Sequence, residues 1–188
     1  MPRLDETIAT LSSKLLALDT GPLAELRRME PDGVGTPMFW RLASELEFRV
    51  SQTKEWMQIV RILAILTPKS RLNPAVRLHD RSYQLGRAFC DGGNTAWPSD
   101  SQHPRPTLSE QRYNRLLAMP AAQRGEAVER IARMLARSRT PEVGIDCEEI
   151  ARLLLQPSDS RSLQGIARAY YDRLDQAARN SKKEGTAA

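Results

Sequence analysis

Apolar residues recur at spacings of three and four along most of this chain, the period of a helix with one buried face. Leu4, Ile8, Leu11, Leu15 and Leu18 mark a first helix, closed by Asp19-Thr20-Gly21. Pro22 opens a short helix over residues 23–29, since proline suits a first helical turn. A loop with Pro31, Gly33 and Gly35 follows. Pro37 then starts a third helix through Phe39, Trp40, Leu42 and Leu46. Thr53 is placed to cap a fourth, whose buried stripe is Trp56, Ile59, Val60, Leu63 and Leu66 and which Pro68 ends.

Residues 69–81 read as a basic connector, and Ser82 as the cap of a short helix reaching Cys90. Residues 91–106 hold two glycines and three prolines among polar residues, a linker or mobile loop. Helical spacing resumes behind Thr107 or Ser109 with Tyr113, Leu116, Leu117 and Met119. It continues over 121–137, where Ala127, Val128, Ile131, Met134 and Leu135 share a face. Gly144 and Asp146 separate that helix from one at 150–155. Residues 157–160 cap a last helix carrying Leu163, Ile166, Ala167, Tyr170, Tyr171 and Leu174. The pattern predicts an all-α fold of about nine helices. Its simplest arrangement is two small helical bundles, 1–93 and 107–180, joined by a Pro/Gly-rich loop at 94–106 and followed by a polar, disordered tail at 181–188.

Composition supports helices: aromatic residues are only 5%, and Val, Ile and Thr never alternate as in a strand. Charge changes the picture more. Arginines number 23 against five lysines, and the net charge is +5. Residues 51–139 alone carry net +8, while the flanking stretches are slightly acidic. A GC-rich genome would also enrich arginine, but guanidinium groups fork onto phosphate and are weakly hydrated, and their concentration in mid-chain points to a nucleic-acid partner. The longest apolar run, Ile62 to Leu66, is too short to span a membrane, and no apolar run follows the first charges as in a signal peptide. The expected compartment is the cytoplasm.

Candidate chemistry is sparse. His79 lies in the basic connector and His103 in the proline-rich loop, and both read as exposed loop histidines. Cys90 and Cys147 lack metal or redox spacing and read as buried thiols. Asp146, Glu148 and Glu149 open a helix, where negative charge complements the dipole. No phosphate-loop, Rossmann or nucleophile-elbow pattern is present. Gly86 fits close helix packing better than phosphate binding. The expectation is no catalytic residue, no metal and no cofactor.

The basic constellations carry more. Arg27 and Arg28 end the second helix. Lys69, Arg71, Arg77 and Arg81 lie on the connector with only Asp80 to balance them, and loops of this kind can track a phosphate backbone. Arg87 sits on the next helix. Arg112 and Arg115 form a pair, and Arg130, Arg133 and Arg137 form one helical stripe. Any one stripe also fits a solvated face; together they predict a groove for nucleic acid. Phe39, Trp40, Phe48 and Trp56 fall on apolar helical faces and read as core. Trp97 is the aromatic expected at the surface, to stack on a base or pack on another protein.

These elements, in this order, resemble the CasB family, the small subunit of type I-E CRISPR surveillance (Cascade) complexes. The resemblance rests on Gly21-Pro22-Leu23-Ala24-Glu25-Leu26-Arg27-Arg28, then Pro37-Met38-Phe39-Trp40-Arg41-Leu42, then Gln84-Leu85-Gly86-Arg87-Ala88. It continues with Ser109-Glu110-Gln111-Arg112, Met134-Leu135 followed by Ile145-Asp146, and Ala167-Arg168-Ala169-Tyr170-Tyr171. It implies a helical protein without enzymatic activity. It implies two copies packed head to tail among other Cascade subunits, supporting the guide RNA–target DNA hybrid and the displaced non-target strand. Arg28, Arg112 and Arg133 match basic positions of the family's nucleic-acid face; Lys69, Arg71 and Arg77 match in placement only. Cys147 and Gln156-Pro157 depart from aromatic positions of the family, so the last helices are expected to pack differently. The alternative from another class is a protein–protein adaptor that touches no nucleic acid.

Overall fold

A computed structural model describes residues 3–68, 74–98 and 104–186, with side chains through residue 179. Among the described residues the fold is helical, with nine α-helices and one short 3-10 turn at Val50–Gln52. The helices are α1 Leu4–Ala17, α2 Thr20–Arg28, α3 Pro37–Glu45, α4 Thr53–Leu66 and α5 Leu85–Asp91. Then come α6 Glu110–Leu117, α7 Ala121–Ser138, α8 Cys147–Leu155 and α9 Ser160–Thr186. No described helix is long and apolar enough to cross a membrane.

α4 is the central element. It buries Trp56, Met57, Ile59, Val60, Ile62, Leu63, Ala64 and Leu66, more than one face can hold, because α1, α2, α7 and α8 all pack against it. One apolar cluster runs from Ile8 to Tyr170 and draws on helices from both sides of residues 94–106. The aromatics expected in the core divide. Phe39 and Trp56 are buried, and Phe48 stacks on Trp56 with centroids 4.1 Å apart. Trp40 is instead 48% exposed. α3 buries Phe39 and Leu42 three residues apart, and Trp40 lies about 100° round from Phe39.

α5 and α9 pack tightly at Gly86. A Cβ there would lie 1.9 Å from the Ile166 carbonyl oxygen, so only glycine fits, as its place in a helical pattern suggested. Tyr113 of α6 stacks on Tyr170 of α9 at 4.2 Å, and the Tyr170 hydroxyl donates to the Leu108 carbonyl at 2.7 Å. α9 continues to Thr186, past residue 180 where the polar composition suggested disorder. The stretch from Ala177 to Glu184 contains no proline or glycine and is rich in helix formers.

The described end of the connector, residues 74–81, is anchored. Leu78 accepts from the Ile145 N–H at 3.0 Å and Asp80 donates to Ile145 at 3.1 Å, a short bridge centred on His79. This corrects the reading of His79 as exposed. Its side chain is 10% exposed, and Nδ1 accepts the Cys147 N–H at 3.1 Å. Loop composition hid a strand-like pairing partner 66 residues away. His103, and residues 99–103 of the loop, lie outside the described residues.

Candidate nucleic-acid interface

The face is built on α7. Burial of Ala127, Val128, Ile131, Ala132 and Leu135 against the core turns Arg130, Arg133 and Arg137 outward. Arg130 lies 3.7 Å from Glu126 and Arg133 contacts Glu129, each four residues earlier. Arg137 has no carboxylate partner among the described residues. These three arginines line one shallow hollow with Met134 and Ser138. Because α2 and α7 both pack on α4, the end of α2 comes beside α7. Arg28 and Arg133 therefore line a second, deeper hollow together. The structure brings Arg28, Arg130, Arg133 and Arg137 onto adjoining hollows that share Arg133.

Among the remaining candidates, Arg27, Arg81 and Arg87 engage other groups of the chain. Arg27 faces inward at the C-terminus of α4, where its Nε donates to the Ala64 carbonyl at 2.8 Å and an Nη to Thr67 at 2.7 Å. It covers carbonyls that a helix end leaves without partners. Arg81 is tied to Asp5 at 3.1 Å and lies 3.6 Å from buried Glu148. Arg87 lies 3.4 Å from Asp91 and 4.4 Å over the Tyr83 ring. Sequence spacing could not reveal these partners, which stand on other elements except for Asp91 and Tyr83 on the residue's own stretch. Arg77 is exposed, and its carbonyl accepts from Arg139. Arg112 and Arg115 are exposed on α6 without a carboxylate partner among the described residues, and neither hollow includes them. Lys69 and Arg71 lie outside the described residues.

Trp97 is also corrected. It is half-buried, because the Arg173 guanidinium lies 4.8 Å over its ring and its Nε1 donates to the Arg105 carbonyl at 2.9 Å. Trp40, 48% exposed beside largely exposed Val34, is the most open aromatic among the described residues.

The acidic cluster is structural in its contacts. The Asp146 side chain accepts the Glu148 N–H at 2.9 Å and so caps α8. Glu149 accepts the Leu85 N–H at 2.6 Å at the start of α5. Burial pushes both carboxyls above the usual range. Glu148 is held by Arg152. Among the described residues, no group of three His, Cys, Asp or Glu side chains could hold a metal ion. Cys90 and Cys147 are buried free thiols, as their apolar settings predicted.

One residue of the deeper hollow escaped the sequence reading: Arg139, just past α7. Only 8% exposed, it donates to the carbonyls of Leu66, Arg77 and Val143 at 2.5–2.8 Å. Flanked by Ser138 and Thr140, it reads like any surface arginine, and nothing local signals its burial.

Fold and face together define a small all-helical protein that gathers arginines from two helices around adjoining hollows. A family model described as CRISPR-associated protein Cse2 matches residues 22–171, and the chain belongs to that family. No individually curated protein sequence matches the chain. Among solved structures it is similar to a chain of the E. coli Cascade complex bound to a PAM-containing double-stranded DNA target. That likeness has 20% identity and a TM-score of 0.62, and covers 89% of this chain and 96% of that one. It is similar also to M. ruber CasB, at 19% identity and a TM-score of 0.58, covering 94% and 95%. At these identities the likeness establishes the fold.

Proposed function

We propose that the chain is a non-catalytic small subunit of a cytoplasmic Cascade-type complex that holds nucleic acid through its arginine face. In this reading it supports the guide RNA–target DNA hybrid and retains the displaced non-target strand, alongside other subunits and a second, head-to-tail copy of itself. The observation that carries it is the convergence of Arg28 from α2 with Arg133 from α7 on one hollow whose wall holds no carboxylate among the described residues, adjoined by Arg130 and Arg137. Family membership supports the setting. Exchanging one duplex for a hybrid is nearly balanced in free energy, so backbone contacts that hold the freed strand tip it forward. Such contacts are indifferent to sequence and weaken with salt.

The test is a gel shift with single-stranded DNA of arbitrary sequence across a salt series. Binding that falls as salt rises, with no preference among sequences, supports the reading. The adaptor alternative draws on Val34 and Trp40, an apolar pair open to solvent next to the core. It predicts no shift at any salt concentration. The division into 1–93 and 107–180 is likewise proposed. Limited proteolysis confined to 94–106, followed by gel filtration of the products, tests it.

A further inference from the structure

The deeper hollow has a composition that a general phosphate-tracking surface does not require. It encloses about 540 Å³ between the ends of α2 and α4 and the last turns of α7. Arg27, Arg28, Arg133 and Arg139 stand in its wall, and among the described residues no carboxylate does. The rest of the wall is largely apolar, including Ile65, Pro68 and Pro141.

Arg139 makes the hollow unusual. It is buried, its hydrogen-bond partners are neutral carbonyls, and among the described residues its Nε has no hydrogen-bond partner. Carbonyls satisfy N–H groups but leave the positive charge uncompensated. A buried cation without a counter-charge is unfavourable, and burial draws this guanidinium below the usual arginine range. The C-terminal carbonyls of α4 would ordinarily add partial negative charge here. Arg27 covers Ala64 and Thr67, and Arg139 covers Leu66, so that charge is offset. An anion entering the hollow therefore meets a net positive wall.

The volume is far larger than a bare oxyanion needs, and falls in the range of small-molecule pockets. A cationic side and an apolar side call for a ligand with an anionic head and a flat, weakly polar body. We propose that the hollow seats a single nucleotide, with Arg28 and Arg133 taking its phosphate and Ile65, Pro68 and Pro141 carrying its sugar and base. Arg133 is half-exposed and leaves Glu129 with two other partners, Gln58 at 2.9 Å and Arg61 at 3.2 Å, when it turns to the phosphate. Among the described residues no Asn, Gln, Asp or Glu side chain lines the hollow to read a base edge, so the seat discriminates little among bases. The seat rests on the nucleic-acid reading above and adds a discrete position to it.

Titration of the full chain with AMP, CMP, adenosine and inorganic phosphate at equal ionic strength tests the seat, read by calorimetry and by thermal shift. AMP and CMP should bind alike, within about threefold, while adenosine and phosphate each bind about tenfold more weakly, as loss of a charge-assisted contact or of apolar burial implies. Arg28→Gln and Arg133→Gln should each weaken AMP about tenfold. Arg161→Gln, the same charge change at an exposed residue in the first turn of α9, should leave AMP binding as it was. Phosphate binding as tightly as AMP would reduce the hollow to an ion site and overturn the proposal. So would equal losses in all three variants. If the wild-type chain shifts single-stranded DNA yet ignores AMP, the seat fails while the broader surface stands; if it does neither, both fail.

Discussion

Arg173 of α9 donates its Nε to the carboxylate of Asp91 at 2.8 Å, across the α5–α9 packing. Asp91 is 1% exposed and also accepts the Tyr83 hydroxyl at 2.7 Å and the Gly93 N–H at 3.0 Å. Replacing Asp91 by Ala strands a guanidinium and a hydroxyl inside the protein. Loss of a buried partner of this kind costs about 3–5 kcal/mol. Urea unfolding should show that loss as a lower midpoint with an unchanged slope; a midpoint within error of wild type would refute this role.

Gly86→Ala tests the same seam sterically. The added methyl would collide with the backbone oxygen of Ile166, which no rotamer change can relieve. We expect at least about 2 kcal/mol of destabilisation and separation of α9 from α5. Faster amide hydrogen exchange along α9 checks it, and unchanged protection there contradicts it.

Charge reversal at Arg28, Arg112 and Arg133 should weaken retention of single-stranded DNA while leaving the helical content intact, because all three are exposed. Each phosphate contact removed should flatten the plot of log affinity against log salt by about 0.7. A strand-displacement assay with circular dichroism reads both effects. Undiminished retention would remove these residues from the interface.

Glu129 binds Arg61, Gln58 and Arg133 together. Under the proposed function it would compete with phosphate for Arg133. Glu129→Gln should raise affinity for single-stranded DNA at low salt, even as loss of the partly buried pair with Arg61 lowers the melting temperature. Filter binding and thermal unfolding on the same sample separate the two effects. Weaker binding by a folded variant would show that Glu129 orients Arg133 and does not withhold it.

Burial pushes the Cys90 thiol up to about 12, with the Asp91 charge adding to the effect, and burial pushes Cys147 up to about 12 as well. The unfolded thiols titrate near 9.0. Between these values the folded chain keeps protons that the unfolded chain releases, so stability falls as pH rises from about 9 toward 12. Below that window the thiols contribute nothing to the pH dependence. A thiol-reactive dye at pH 8 should label neither cysteine until denaturant is added. Rapid labelling of the native chain would contradict their burial.

The helices were legible because each carries its own evidence: a 3.6-residue apolar period, a proline or cap at one end, a breaker at the other. Gly86 could be read the same way, since a glycine within an apolar helical stretch has few other uses. The segregation of net positive charge between residues 51 and 139 was plain in the sequence too, as was the outward stripe of Arg130, Arg133 and Arg137 on α7.

Which described arginines have partners within the chain was decided only by packing. Arg27 and Arg28 are adjacent in sequence, yet one covers the end of α4 and the other faces solvent. Arg81 meets Asp5 from 76 residues away, and Arg139 is drawn under the surface to carbonyls of three separate segments. Periodicity is a property of neighbours along one helix, whereas neutralisation of a charge depends on whatever lies within a few ångströms in space. The identity and face of each helix therefore follow from local pattern, and the free or occupied state of each guanidinium follows from tertiary contact.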